Sequence, residues 1–75
     1  MIEPEDLSEL VRELRLRLGL TQEEFAARLG VTFPTINRWE KRRAKPSRMA
    51  IKLLENLVRQ TGESTQDLLE KYFVS

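Results

Sequence analysis

The 75-residue sequence contains no cysteine and no histidine, and only three glycines, three prolines, one tryptophan and one tyrosine. Without cysteine there is no disulfide and no thiolate metal site. Without histidine the chain lacks the commonest metal ligand and the usual proton shuttle near neutral pH. Aspartate and glutamate are plentiful, but none falls in a recognisable catalytic pattern, so no catalytic residue, metal or cofactor is assigned and an enzyme is not expected. No apolar run approaches the length needed to cross a bilayer. The start, Met1-Ile2-Glu3-Pro4-Glu5-Asp6, is acidic where an export signal would be basic, so a cytoplasmic location is expected. A chain this short buries a single modest core, which predicts one domain over residues 1–75.

Charge is abundant but unevenly placed. The formal net charge is only +1, yet Arg38, Lys41, Arg42, Arg43, Lys45, Arg48 and Lys52 stand against Glu40 alone between positions 38 and 52, while the first ten residues carry only acids. The molecule should be electrically two-sided, with an anionic partner on the basic side.

The apolar pattern is helical throughout. Leu7, Leu10, Val11, Leu14 and Leu18 recur at spacings of three and four, predicting a first helix over about 4–18 that Pro4 opens and Gly19 stops. Thr21 and Glu24 have the spacing of a reciprocal capping box, with Leu20 and Phe25 as its hydrophobic staple, so a second helix follows over about 22–29. Gly30 supplies the turn, and Thr32 is the expected cap of a third helix over about 33–41. Ile36 and Trp39 face inward on it; Phe33, Thr35, Arg38 and Arg42 face solvent. Lys45-Pro46-Ser47 breaks the pattern, and Ser47 caps a fourth helix to about Thr61, which Gly62 ends. Ser64 with Asp67 reads as a further cap pair for a last helix over about 65–73. There Leu68, Leu69, Tyr72 and Phe73 form two i, i+4 pairs, one expected to face the core and the other a partner, with a homodimer the natural case.

Two compact helices joined by a tight glycine turn can place the second in the major groove of a duplex. On the exposed side of helix three, Arg38 is the candidate for direct readout, because its fork can donate twice to guanine O6 and N7. Phe33 and Pro34 offer apolar contact with a thymine methyl, and Thr35 lies beside them. Gln22, at the start of helix two, is placed to hold a phosphate together with first-turn amides. Lys41, Arg42, Arg43 and Lys45 would meet the flanking backbone. Arg15 and Glu40, charges set among apolar neighbours, are candidates for an ion pair fixing helix three to the scaffold.

On these residues the sequence resembles the Cro and phage-repressor type of helix-turn-helix domain, the XRE family, over about residues 7–57. The resemblance is carried by Leu-Gly-Leu-Thr-Gln-Glu-Glu-Phe-Ala (18–26), Leu-Gly-Val (29–31), Thr-Ile-Asn-Arg-Trp-Glu (35–40) and Lys-Pro-Ser (45–47). It implies an all-α, compact five-helix lambda-repressor-like domain that binds palindromic operator DNA as a two-fold dimer. It also implies phosphate contacts at Gln22 and Lys45, base contacts at Phe33, Pro34, Thr35 and Arg38, and an Arg15–Glu40 pair. Two departures stand out. Family members often have Asn-Gly or Arg-Gly after the glutamate, whereas Lys41-Arg42-Arg43 contains no residue that enters a left-handed conformation cheaply, so either helix three runs on or the loop is strained. Phe33-Pro34 also replaces the long polar base readers common there. The expected function is a sequence-specific transcriptional regulator, a repressor. The rival readings are an antitoxin that binds a toxin protein and its own promoter, and a helix-turn-helix module used only for protein contact.

Overall fold

The structure, a computed structural model, describes residues 7–73. It is all-α, with no strand among those residues. In chain order it comprises α1 (Leu7–Arg17), α2 (Gln22–Leu29), α3 (Phe33–Glu40), α4 (Arg48–Thr61), a 3-10 turn (Gly62–Thr65) and the short α5 (Gln66–Tyr72). Pro4 and the acidic residues before Leu7 lie outside the described residues.

Local sequence explains most boundaries. At α2 the capping box forms: the Glu24 amide donates to Thr21 Oγ1 at 3.1 Å and the Thr21 amide to Glu24 Oε1 at 2.8 Å, satisfying two otherwise orphaned donors. Ser47 caps α4 by accepting from the Ala50 amide at 3.2 Å. Gly19 and Gly30, with φ of 70° and 76°, close α1 and α2 in the left-handed region where a side chain would be strained. The matching Schellman bonds run from the Leu20 amide to the Arg15 carbonyl at 3.1 Å and from the Val31 amide to the Ala26 carbonyl at 2.9 Å.

α1 contributes Leu7, Leu10, Val11 and Leu14 to the core, α2 adds Phe25, Ala26 and Leu29, and α3 adds Ile36 and Trp39. Ala50, Leu54, Leu57 and Val58 of α4 close the other side. α1 packs against α3 and α5, and α2 against α3 and α4, so the first three helices meet at one end of the core and α4 with α5 at the other. The described residues span 29 × 25 × 18 Å. The shortest axis is less than two full helix diameters, so each helix keeps one face outward.

The entry to α5 differs from the sequence expectation. Ser64 does not cap it: the chain forms a 3-10 turn, Thr65 precedes the helix without a side-chain cap bond, and Thr65 Oγ1 is fully buried and donates to the Val58 carbonyl at 2.7 Å. Asp67 is instead bound by Arg17, fifty positions earlier. Arg17 Nη2 donates to Asp67 Oδ2 at 2.8 Å, and Nη1 donates to Oδ1 and to the Ser64 carbonyl. A long-range fork therefore outcompetes the local cap. Leu68 and Tyr72 are buried in the chain's own core, which removes them as exposed dimer contacts, whereas Leu69 and Phe73 are half-buried against it.

The hydrogen bonds from Arg17 hold the Asp67 carboxyl below its ordinary 3.8 and raise the Arg17 guanidinium further above its own value. A carboxyl depressed in the folded state adds stability that is present above its unfolded value and disappears as pH falls through the folded one. Thermal unfolding of Asp67→Asn should accordingly be less acid-sensitive than that of the parent below about pH 3.8. An unchanged acid limb would show that the fork contributes nothing.

Candidate nucleic-acid interface

The turn between α2 and α3 is three residues long. Gly30 reverses the chain, Val31 packs against the core, and Thr32 adopts an extended conformation (φ −90°, ψ 158°). The expected Thr32 side-chain cap does not form. Proline at the second helical position has no amide hydrogen, the Thr35 amide bonds the Thr32 carbonyl at 3.1 Å, and the two threonine hydroxyls pair with each other at 2.9 Å.

Behind this turn a polar network fixes α3. Arg15 of α1 grips Glu40 with two parallel bonds, Nε to Oε2 at 2.8 Å and Nη2 to Oε1 at 3.0 Å, and its Nη1 donates to the Leu20 carbonyl at 3.1 Å. The paired side chains are only 15% and 7% exposed. The bonds to Glu40 raise the Arg15 pKa above its ordinary value despite burial, and a guanidinium stays protonated in proteins. Gln22 joins the same cluster, its Nε2 donating to Glu40 Oε1 at 3.2 Å and its Oε1 accepting from Asn37 Nδ2 at 3.0 Å. Gln22 is thus structural before any ligand arrives, with one amide hydrogen left over. Asn37 was not singled out from sequence, although its place three residues before Glu40 on one helical face was the available signal.

With Ile36 and Trp39 buried, the opposite face of α3 is open. Phe33 is 43% exposed, Pro34 and Arg38 are exposed, and Thr35 is half-buried. The Arg38 side chain has no hydrogen bond or ion pair within the described residues. α3 ends at Glu40, and the strained-loop alternative is the one adopted: Arg42 has φ 61°, the sole non-glycine with positive φ among the described residues. It completes a Schellman closure in which the Arg43 amide donates to the Arg38 carbonyl at 2.8 Å and the Arg42 amide to the Trp39 carbonyl at 3.2 Å. The Arg42 side chain reaches back to α1, where Nε donates to Ser8 Oγ at 3.0 Å and Nη2 lies 4.0 Å from Glu9. Ser8, buried beneath it, was also missed from sequence. Lys41, Arg43, Lys45 and Arg48 are all exposed, leaving a cationic arc that continues from Arg38 to the start of α4.

A trihelical clamp presenting one open helix beside a cationic arc is the arrangement of a helix-turn-helix, and the comparisons agree. A helix-turn-helix family model, HTH_3, matches residues 11–63. The chain belongs to this family, of the XRE/Cro type. A protein of Methanothermobacter thermautotrophicus described as "Uncharacterized HTH-type transcriptional regulator" is 60% identical over 38 residues, covering 51% of this chain and 55% of the relative. The Escherichia coli K12 protein "Uncharacterized HTH-type transcriptional regulator YiaG" is 35% identical over 60 residues, covering 80% of this chain and 62% of the relative. The matches therefore span less than two thirds of either relative. No solved structure matches the chain.

Two substitutions test the clamp and its loop. Arg15→Met strands Glu40 in a largely buried position and should cost about 3 kcal/mol in urea unfolding, with Arg15→Met/Glu40→Leu recovering most of the loss; equal stability of single and double variants would contradict this. Arg42→Gly and Arg42→Ala both lose the contact with Ser8, but only glycine sits at ease at φ 61°. The glycine variant should be the more stable by about 1 kcal/mol, and parity would show that the loop carries no strain.

Proposed function

We propose that this domain is a sequence-specific DNA-binding transcriptional regulator, acting as a repressor, that reads the major groove with the open face of α3. The observation that carries the reading is Arg38: an exposed guanidinium without an internal partner among the described residues, on a helix that the Arg15–Glu40 clamp holds rigidly. A planar fork of this kind matches guanine O6 and N7, and its entropy cost is reduced where its helix is already fixed. Phe33, Pro34 and Thr35 supply the remaining base contacts. Lys41, Arg43 and Lys45, the outer nitrogens of Arg42, the spare Gln22 hydrogen and the first-turn amides of α2 supply the phosphate contacts, which set register without reading sequence. Leu69 and Phe73 are the surface proposed for a two-fold contact between copies, which would match a palindromic site.

Selection of bound sequences from random duplex DNA at two salt concentrations tests this reading. A palindromic consensus containing guanine is expected. Arg38→Ala should lose about 1–3 kcal/mol of discrimination at that guanine while keeping non-specific affinity, and Lys45→Ala should reduce the slope of log affinity against log salt by about 0.9. Indifference to sequence at every salt concentration would end the proposal.

A further inference from the structure

Hydrogen-bonding side chains are sparse on the leading turn of α3. Phe33 is exposed, and Pro34 has neither a side-chain polar group nor an amide hydrogen. The Thr35 hydroxyl is engaged by Thr32 at 2.9 Å, and the Asn37 amide donates to Gln22. Arg38 is thus the only long polar side chain on that face without an internal partner among the described residues. The side chains of Phe33 and Pro34 offer a base edge neither a donor nor an acceptor.

In the major groove, thymine and cytosine differ both in the exocyclic group, O4 against an N4 amino group, and in the C5 methyl. Resting on the DNA-binding reading above, we infer that the first turn of α3 reads the C5 substituent of a pyrimidine and not its identity, so that 5-methylcytosine is accepted where thymine is, and unmethylated cytosine and uracil are both disfavoured. The ligand class is C5-methylated DNA, and Phe33 is the specificity-determining residue. Phe33 and Arg38 are five residues apart on α3, a rise of about 7.5 Å. That is a little over two base steps of about 3.4 Å. The methylated pyrimidine therefore lies about two steps from the guanine held by Arg38. Burying one methyl group is worth about 0.8 kcal/mol, or about fourfold in affinity at 1.36 kcal/mol per decade.

The test uses the full chain and the duplex recovered by selection. Each thymine near the guanine is replaced singly by uracil, and the same position is then filled with cytosine or 5-methylcytosine opposite guanine. Each of these pairs of duplexes differs by one methyl group alone. At one position, thymine should exceed uracil and 5-methylcytosine should exceed cytosine, each by about fourfold, and both differences should vanish in Phe33→Ala. Phe33 is exposed, so that variant keeps its core; its circular dichroism and residual affinity for the selected duplex verify this. Specific binding with no methyl effect, or a methyl effect that persists in Phe33→Ala, would overturn the inference and leave the regulator reading intact. Failure to select any consensus would overturn both.

Discussion

The bidentate bond between Arg15 and Glu40 is the interaction on which the remaining geometry depends. It joins the end of α1 to the end of α3, and through the Leu20 carbonyl and Gln22 it also fixes the α1–α2 turn and the start of α2. Three helices too short to be stable alone are thereby set at one mutual orientation. Burying a cation and an anion carries a large desolvation cost, offset here because the planar fork meets both carboxylate oxygens and neighbouring groups take up further hydrogen bonds. Among the described residues no buried side-chain nitrogen or oxygen lacks a partner. What the clamp supplies is orientation more than net stability, and orientation is what groove reading requires.

The division of labour on α3 follows from that constraint. One face holds Ile36 and Trp39 in the core, an adjoining edge holds Asn37 and Glu40 in the polar network, and the open face carries Phe33, Pro34 and Arg38. The helix is only eight residues long, and the one position outside these tasks, Thr35, pairs its hydroxyl with Thr32. The loop after it adopts the closure that glycine performs after α1 and α2, but with an arginine whose side chain bonds Ser8. The left-handed cost is exchanged for a second tie between α1 and the end of α3, and for an added positive charge beside the proposed DNA backbone.

Features encoded within a few residues were legible in the sequence. The α2 capping box, the Ser47 cap and the glycine closures were read correctly because each needs only neighbours in the chain. The inward placement of Ile36 and Trp39 followed from helical periodicity. Features decided by competition with distant groups were not legible. Asp67 looked like half of a cap but is taken by Arg17, Thr32 looked like a cap but stands two residues before a proline and turns to Thr35, and which of the two α5 pairs enters the core, Leu68 with Tyr72, depends on how α5 meets α1 and α4. At Arg42 the sequence left a longer helix and a strained loop open, and tertiary contact with Ser8 favours the loop.

In the proposed complex the open face of α3 and the cationic arc after it meet DNA while the clamp behind them stays shut. Nitrogen-15 and proton resonances of the labelled protein, followed through titration with a selected duplex, distinguish this arrangement from others. Large shifts are expected at Phe33, Thr35, Arg38 and the 41–45 loop, with the Arg15 Nε resonance keeping its hydrogen-bonded position. Shifts concentrated on α4 and α5, with α3 unmoved, would contradict it.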